Sequence, residues 1–238
     1  MQPGAIIGEA WRLYKEHWKH FLPIALVIFL ILAVVSLLLA LVLGALGAVL
    51  GALIGIIGIF WLQGALVEAV ADVRDGLADL SIGDTFRRVQ PRLPSIIGAG
   101  LLAGLGIALG FVLLIIPGLF LLTIWSMIVP SIVLEGKGAM ESFGRSRELV
   151  RGNGWNVFGT IVITVLALIV GSIIVGIATF WLPDGVDAFI SDVITGTVVA
   201  PFAAVAWTLM YFQLARGETA TASPTSPAEP YAPTAPPA

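Results

Sequence analysis

The stretch that decides the fold is FLPIALVIFLILAVVSLLLALVLGALGAVLGALIGIIGIFWLQGALV, from Phe21 to Val67, in which no residue is charged. A helix needs about 20 apolar residues to cross the roughly 30 Å hydrocarbon core of a bilayer, so this stretch is long enough for two spans. It is too long for the apolar region of a secretory signal peptide, which has roughly 7–15 residues. We therefore predict two retained membrane helices, separated by a turn at Leu43–Gly47.

The remainder of the chain has the same apolar character. Of its 238 residues 58% are hydrophobic and 11% are charged, and the mean hydropathy is +1.03. Soluble domains have about 45–50% apolar and about 25% charged residues. The net charge of −3 and the short basic clusters do not favour nucleic acid as a partner. The absence of cysteine excludes disulfides and thiolate metal sites.

Four further spans follow from the same length argument. The charge-free run Leu93–Leu134 holds two of them, divided at Ile116–Gly118, because Pro117 lacks a backbone donor and glycine readily adopts turns. The last two run from about residue 155 to 181 and from about 190 to 214. The predicted fold class is thus all-α, a polytopic membrane bundle of six transmembrane helices arranged as three hairpins.

The positive charges indicate the orientation of these spans. Lysine and arginine occur only before span one, between spans two and three, between spans four and five, and after span six. The positive-inside rule places such connections in the cytoplasm. We therefore predict a multi-pass protein of the plasma membrane with both termini cytoplasmic.

A short amphipathic segment precedes each pair of spans. Apolar or small residues recur at steps of four, three and four in all three segments, which is one face of a helix. The positions are Ile7, Trp11, Tyr14 and Trp18; Ile82, Phe86, Val89 and Leu93; and Ala139, Phe143, Ser146 and Val150. An interfacial helix followed by a hairpin is the predicted repeat, although basic loops beside membrane helices are often amphipathic without any repetition.

The predicted domain organisation follows from this repeat. A single membrane domain covers residues 1–216, with repeat units of about 5–72, 80–134 and 138–215. The tail 217–238 is rich in Pro, Ala, Thr and Ser and has almost no large apolar residue, which predicts disorder.

The most distinctive segment lies between residues 116 and 155. Its characteristic residues are Pro117, Gly118, Pro130, Glu135, Ser146, Gly152 and Trp155. This segment resembles the membrane domain attached to some bacterial glycerophosphoryl diester phosphodiesterases and the related stand-alone, uncharacterised bacterial membrane proteins. Where that family usually has alanine, this chain has Ser142. In those enzymes catalysis belongs to a separate soluble domain, and this chain has no room for one. The resemblance therefore implies a membrane module without phosphodiesterase activity.

Few side chains in the chain suggest chemistry. His17 and His20 are too few for a metal site, and the acidic series Glu68, Asp72, Asp75 and Asp79 is interpreted as a solvated helix end. Glu135 directly follows an apolar run, so we expect it to pair with Lys137 or with an arginine of the next helix. Polar residues within the spans are expected either to line a small cavity or to bond between helices; they are Gln63, Thr160, Thr164, Ser172 and Thr208. We predict no catalytic residue, metal or cofactor.

Six arginines are predicted to surround the cytoplasmic side of the bundle, and we call them the arginine collar. They are Arg87, Arg88, Arg92, Arg145, Arg147 and Arg151. Each basic residue near an anionic leaflet can contribute about 1 kcal/mol of attraction, so the collar suggests contact with lipid headgroups or a partner. Its alternative role is only to orient the protein.

Two functions fit these features. The first is a non-catalytic module that organises, regulates or recruits partners at the cytoplasmic face, including membrane lipids, a protein partner or a second copy. The second is a small-solute or lipid transporter, which would usually need broken helices and an ionisable residue near mid-span.

Overall fold

A computed structural model describes residues 2–74, 80–183 and 186–222, and within these ranges the chain is helical with no strand. The ten α-helices are α1 Pro3–Glu16, α2 Trp18–Leu43, α3 Ala45–Arg74, α4 Ile82–Val89, α5 Leu93–Leu113, α6 Ile115–Ile124, α7 Ile128–Glu135, α8 Ala139–Val150, α9 Gly154–Thr179 and α10 Val186–Ala222. The 3-10 turn Gln90–Arg92 joins α4 to α5. Among the described residues, six helical segments are long and apolar enough to cross a membrane.

The turn predicted inside the first apolar run is present. Gly44 ends α2 with a positive φ of 56°, a conformation that a side chain would strain, and α3 begins at the next residue. Close approach of the two helices continues beyond the turn, because a Cβ atom at Gly47 would lie 1.8 Å from the carbonyl oxygen of Leu39. This pair of spans is therefore packed tightly up to its tip.

The division between spans three and four differs from the prediction. The break falls at Leu114, which is extended, and not at Ile116–Gly118. Pro117 is instead the third residue of α6, where its missing N–H leaves no helical hydrogen bond unmade. Gly118 lies against α5, since a Cβ there would come within 2.5 Å of the Phe111 ring.

The fourth span is discontinuous. Helix α6 ends at Ile124 and α7 begins at Ile128, and three residues in turn conformation separate them. Pro130 is the third residue of α7, and its ring cannot follow an unbroken helix without distortion. The charge-free sequence up to Leu134 predicted one continuous helix here, with Pro130 late in the span.

The core lies at one end of the bundle. Buried large apolar residues occupy Phe21–Ile28 of α2, Leu62–Val73 of α3 and Phe202–Leu214 of α10, which are the halves nearest the lysines and arginines. We call this the basic end. At the opposite tips the large side chains are mostly exposed, as with Val42 at 78% and Val112 at 83%. Exposure of such residues is not costly where lipid surrounds the helices.

Neighbouring helices form a closed ring of contacts. The second helix of one pair packs against the first helix of the next: α3 against α5, α6 against α9, and α10 against α2. The short helices follow the same order, with α4 on α3, α8 on α5 and α7, and α1 on α9 and α10. Each short helix thus packs mainly against the pair of spans that comes before it in this ring.

The inward faces of the short helices differ from the predicted ones. In α1 the buried residues are Ile6, Ala10 and Tyr14, whereas Trp11 is about half exposed, as is Trp18 at the start of α2. In α4 they are Thr85 and Val89, and in α8 they include Ser142 and Ser146. Small side chains allow helices to approach closely, while large aromatic rings are favourable at the membrane interface. The third predicted position is buried in each helix, at Tyr14, Val89 and Ser146. At the second position the buried residue is instead the one before the predicted aromatic residue: Ala10 before Trp11, Thr85 before Phe86 and Ser142 before Phe143.

The last helix is longer than predicted. It continues to Ala222, so the first six residues of the predicted disordered tail, 217–222, are helical. Extending a helix that already exists requires no new nucleation, which is the costly step. The rest of the predicted tail, together with Asp75 and Asp79 of the acidic series, lies outside the described residues.

Candidate functional site at the basic end

Glu135, the last residue of α7, joins three helices. Its carboxylate accepts two hydrogen bonds of 2.8 Å from Nε of Arg145 on α8 and one of 2.7 Å from the hydroxyl of Tyr211 on α10. About one fifth of each charged side chain is exposed. Of the two kinds of partner that the sequence offered, the structure places an arginine of the next helix there rather than Lys137. This arrangement holds α8 and α10 against the end of α7.

Ser146 closes the break in the fourth span. Its hydroxyl donates to the carbonyl of Ile124, at 2.7 Å, and accepts from the N–H of Met127, at 3.0 Å. Both backbone groups belong to the discontinuity between α6 and α7. Ser146 is fully buried, so water cannot replace it. A single side chain of α8 therefore satisfies one orphan group on each side of the broken helix.

The first short helix contacts the bundle in a related way. The hydroxyl of Tyr14 on α1 donates to the carbonyl of Val198 on α10, at 2.8 Å. Burial raises the pKa of the Tyr14 hydroxyl, which keeps it protonated as a donor.

Two arginines of the collar are attached to the inside of the bundle. Arg92 lies 4.0 Å from the carboxylate of Glu68 and donates to the carbonyl of Val133. Arg145 is the partner of Glu135 described above. Arg88 also reaches Glu68, at 3.4 Å, but more than half of its side chain is exposed. The structure therefore gives Arg92 and Arg145 a structural role and reduces the set of arginines that face outward.

Exposed cations lie on the three short helices, at the start of α2 and between α8 and α9. Arg87, Arg147 and Arg151 are exposed, and Arg87 lies 3.3 Å from Asp84 on its own helix. The ammonium group of Lys15 on α1 lies 5.6 Å from the ring of Trp11, and that of Lys19 at the start of α2 lies 5.8 Å from the ring of Trp18. A cation above an exposed tryptophan suits the headgroup region of a bilayer.

A groove runs along the outside of α6 beside the start of α9. Its volume is about 770 Å³, and it is lined by apolar residues of α6 together with Asn153, Trp155 and Asn156. Gly152, which has a positive φ of 79°, forms the corner that turns the chain from α8 into this groove. Arg151 precedes that corner and is exposed. Trp155 is 87% exposed, so its ring stands at the mouth of the groove.

A second cavity lies inside the bundle. It has a volume of about 470 Å³ and lies between α3, the break in span four, and α10. Its polar side chains are Gln63 and Ser126, and its walls include Phe29 and Trp207. The other polar residues that were expected to line a cavity or bond between helices are not among its lining residues, and each hydroxyl donates to a carbonyl one turn earlier in its own helix; they are Thr160, Thr164, Ser172 and Thr208.

The histidines and the buried acid do not assemble a metal site. Nε2 of His20 lies 3.7 Å from the carboxylate of Asp72, which also accepts the N–H of Leu80. In the ranges that the structure describes, no group of three or more potential ligands could hold a metal ion. Asp72 is only 8% exposed, so the sequence interpretation of a solvated end is wrong at this residue.

Sequence reasoning missed two tyrosines, Tyr14 and Tyr211, whose hydroxyls donate to groups of other helices. Tyr211 lies in the apolar sequence of the last span, and nothing local points to Glu135, 76 residues away. Tyr14 was assigned to an apolar face, and its hydroxyl was not considered. A tyrosine at the basic end of a span is a usable signal, since its buried hydroxyl requires a partner.

The fold and these contacts define a class, the polytopic α-helical membrane proteins. A family model described as a domain of unknown function (DUF7847) matches residues 19–214, and the chain belongs to that family. No curated protein and no solved structure matches. The family match carries no link to the membrane domain of glycerophosphoryl diester phosphodiesterases, so that resemblance stays a prediction.

Proposed function

We propose that this protein is a non-catalytic module of the plasma membrane, with both termini in the cytoplasm, which gathers anionic phospholipids at its basic end and so organises partners there. The observation that carries the proposal is the groove between α6 and α9, which is lined by Gly152 and the exposed Trp155, and the exposed Arg151 directly precedes Gly152 in the chain. An acyl chain would lie against the apolar wall of α6. The phosphate would then face Arg151 and Arg147.

The rigidity of the basic end supports this role. Buried contacts of Tyr14, Ser146 and Glu135 fix the short helices, so that the exposed cations project from a fixed frame. Fixed groups lose less conformational entropy when a ligand binds. We also propose that the three short helices and their hairpins are repeat units, because corresponding positions are buried in each: Ala10, Thr85 and Ser142, then Tyr14, Val89 and Ser146.

The lipid preference can be measured on the full chain in nanodiscs that contain equal amounts of phosphatidylglycerol and phosphatidylcholine. Native mass spectrometry then counts the lipids that the released protein retains. We expect the wild type to retain phosphatidylglycerol preferentially. In the double variant Arg147→Gln, Arg151→Gln the preference for phosphatidylglycerol over phosphatidylcholine is expected to fall about 30-fold, because each cation contributes about 1 kcal/mol of attraction.

Glu148→Gln is the matched control. Glu148 is exposed on the same helix and carries the opposite charge, so its removal is expected to leave the preference unchanged or to raise it. High salt is expected to weaken the preference, as it screens exposed charges. Equal retention of both lipids by the wild type, or an unchanged preference in the double variant, contradicts the proposal.

The second candidate function is transport of a small solute or a lipid. The break in span four and Pro201 within α10 favour it, since transporters bind substrates at discontinuous helices. The same protein in liposomes distinguishes the two functions when fluorescent phosphatidylglycerol in the inner leaflet is followed by dithionite quenching. Binding without movement between leaflets supports the module, whereas protein-dependent movement supports transport.

A further inference from the structure

The internal cavity has a distinctive chemical character. No Asp, Glu, Lys, Arg or His is among its lining residues, and most of its wall is aliphatic or aromatic. An ionised group would lose its hydration there without gaining a counter-charge, which is costly in a medium of low polarity. The cavity therefore suits an uncharged ligand.

Gln63 provides a hydrogen-bonding site on that wall. It is exposed although its neighbours Leu62 and Gly64 are buried, so its side chain faces the cavity space. Within the described residues its amide makes no hydrogen bond. A carboxamide offers two donors and one acceptor, and a group of this kind inside a membrane bundle needs a partner.

Ser126 provides a second polar group across the cavity. It lies in the break between α6 and α7, and its hydroxyl donates to the carbonyl of Thr123, at 2.8 Å. Its hydroxyl proton is therefore already used, and only the lone pairs of its oxygen remain to accept a hydrogen bond from a ligand. The cavity thus combines a donor and acceptor at Gln63 with an acceptor at Ser126.

The position of the polar groups sets the direction of the ligand. Gln63 lies five residues before Glu68 on α3, about 7.5 Å deeper along the helix. Beyond it, towards the tips opposite the basic end, the helices present apolar side chains such as Ile59. A ligand would therefore place its polar head near Gln63 and extend an apolar chain away from the basic end.

We propose that this cavity binds a neutral single-chain amphiphile, whose headgroup, an ester that also carries a hydroxyl, is held by Gln63 and Ser126 while its chain lies against Phe29, Ile59 and Leu168. The volume of about 470 Å³ lies within the usual range of small-molecule sites, roughly 300–1,000 Å³. This site is separate from the groove outside α6 and goes beyond the proposed function. The two proposals can fail independently, because one concerns charged headgroups and the other an uncharged one.

The test uses a monoacylglycerol that carries a photoreactive diazirine in its acyl chain. The full chain in phosphatidylcholine nanodiscs is labelled by light, and the labelled peptides are identified by mass spectrometry. We expect saturable labelling of α3 and α10, which unlabelled monoacylglycerol competes away. A fatty acid with the same diazirine chain is the charged comparison and is expected to label more weakly.

Two variants and a control locate the site. Gln63→Leu is expected to raise the half-saturating concentration of the monoacylglycerol about fivefold, through one lost hydrogen bond. Ala203→Phe, which fills the cavity, is expected to abolish saturable labelling. Ser172→Ala is the control, because Ser172 is an exposed hydroxyl of a spanning helix outside this cavity. Thermal melts confirm that each variant folds, and Gln63→Leu remains informative if Ala203→Phe does not.

Three results would overturn the proposal. Labelling that does not saturate would show that only bulk lipid reaches the helices. Equal labelling by the fatty acid would contradict the preference for a neutral headgroup. Unchanged half-saturation in a folded Gln63→Leu protein would remove Gln63 from the site.

Discussion

Ser146→Ala is expected to lower the free energy of unfolding by about 2–4 kcal/mol, because two backbone groups at the break in span four lose the hydrogen bonds that the Ser146 hydroxyl makes with them. The N–H of Met127 and the carbonyl of Ile124 face a buried position, so each loss has the full cost of an unsatisfied polar group. Thermal unfolding of the purified protein in detergent, followed by circular dichroism, measures the change.

Ser142→Ala is the matched control for that experiment. Ser142 lies one turn earlier on α8 and is equally buried, but its hydroxyl bonds only to the carbonyl of Ala139 in its own helix. Its replacement is expected to change stability by less than about 1 kcal/mol, since no group of another helix loses a partner. If both variants melt alike, Ser146 does not hold the broken helix.

Glu135→Gln is expected to lower the free energy of unfolding by about 2–3 kcal/mol. The substitution removes the charge that Arg145 and Tyr211 both contact, and it leaves the guanidinium facing a neutral amide. Removing one partner of a fully buried pair typically costs about 3–5 kcal/mol, and the partial exposure of this pair reduces that value. Thermal unfolding of the purified variant measures the loss.

A double-mutant cycle separates the ion pair from other effects of the substitution. Arg145→Gln and the double variant complete the cycle, and we expect the two single effects not to add. Glu148→Gln is the control, since Glu148 also faces Arg145, at 3.7 Å, but is 68% exposed. A wild-type melting temperature for Glu135→Gln would contradict a structural role for this carboxylate.

The number of spans was predictable because it depends on local composition. An uncharged run such as Phe21–Val67 needs only its length and one turn to define two helices, and Gly44 provides that turn as expected. The break before Ile128 was not predicted, although Pro130 was visible. A proline late in a span can kink, end or restart a helix, and the result depends on whether a side chain such as Ser146 satisfies the freed backbone groups.

The candidate site was predictable only in part, because its residues come from distant parts of the chain. An ion pair for Glu135 followed from its position at the end of an apolar run. The contribution of Tyr211 depends on how α10 packs, which periodicity does not specify. The arginine collar was treated as one surface, whereas packing attaches Arg92 and Arg145 to the interior and leaves Arg147 and Arg151 exposed.

The proposal that the basic end faces the cytoplasm can be tested by cysteine accessibility. The chain has no cysteine, so single cysteines can be introduced without altering a background: Gly144→Cys on the exposed side of α8 and Leu182→Cys at the opposite end. A membrane-impermeant maleimide is predicted to label Leu182→Cys in intact cells and Gly144→Cys only after the membrane is permeabilised. Labelling of Gly144→Cys in intact cells, with Leu182→Cys protected, would contradict a cytoplasmic location of the basic end.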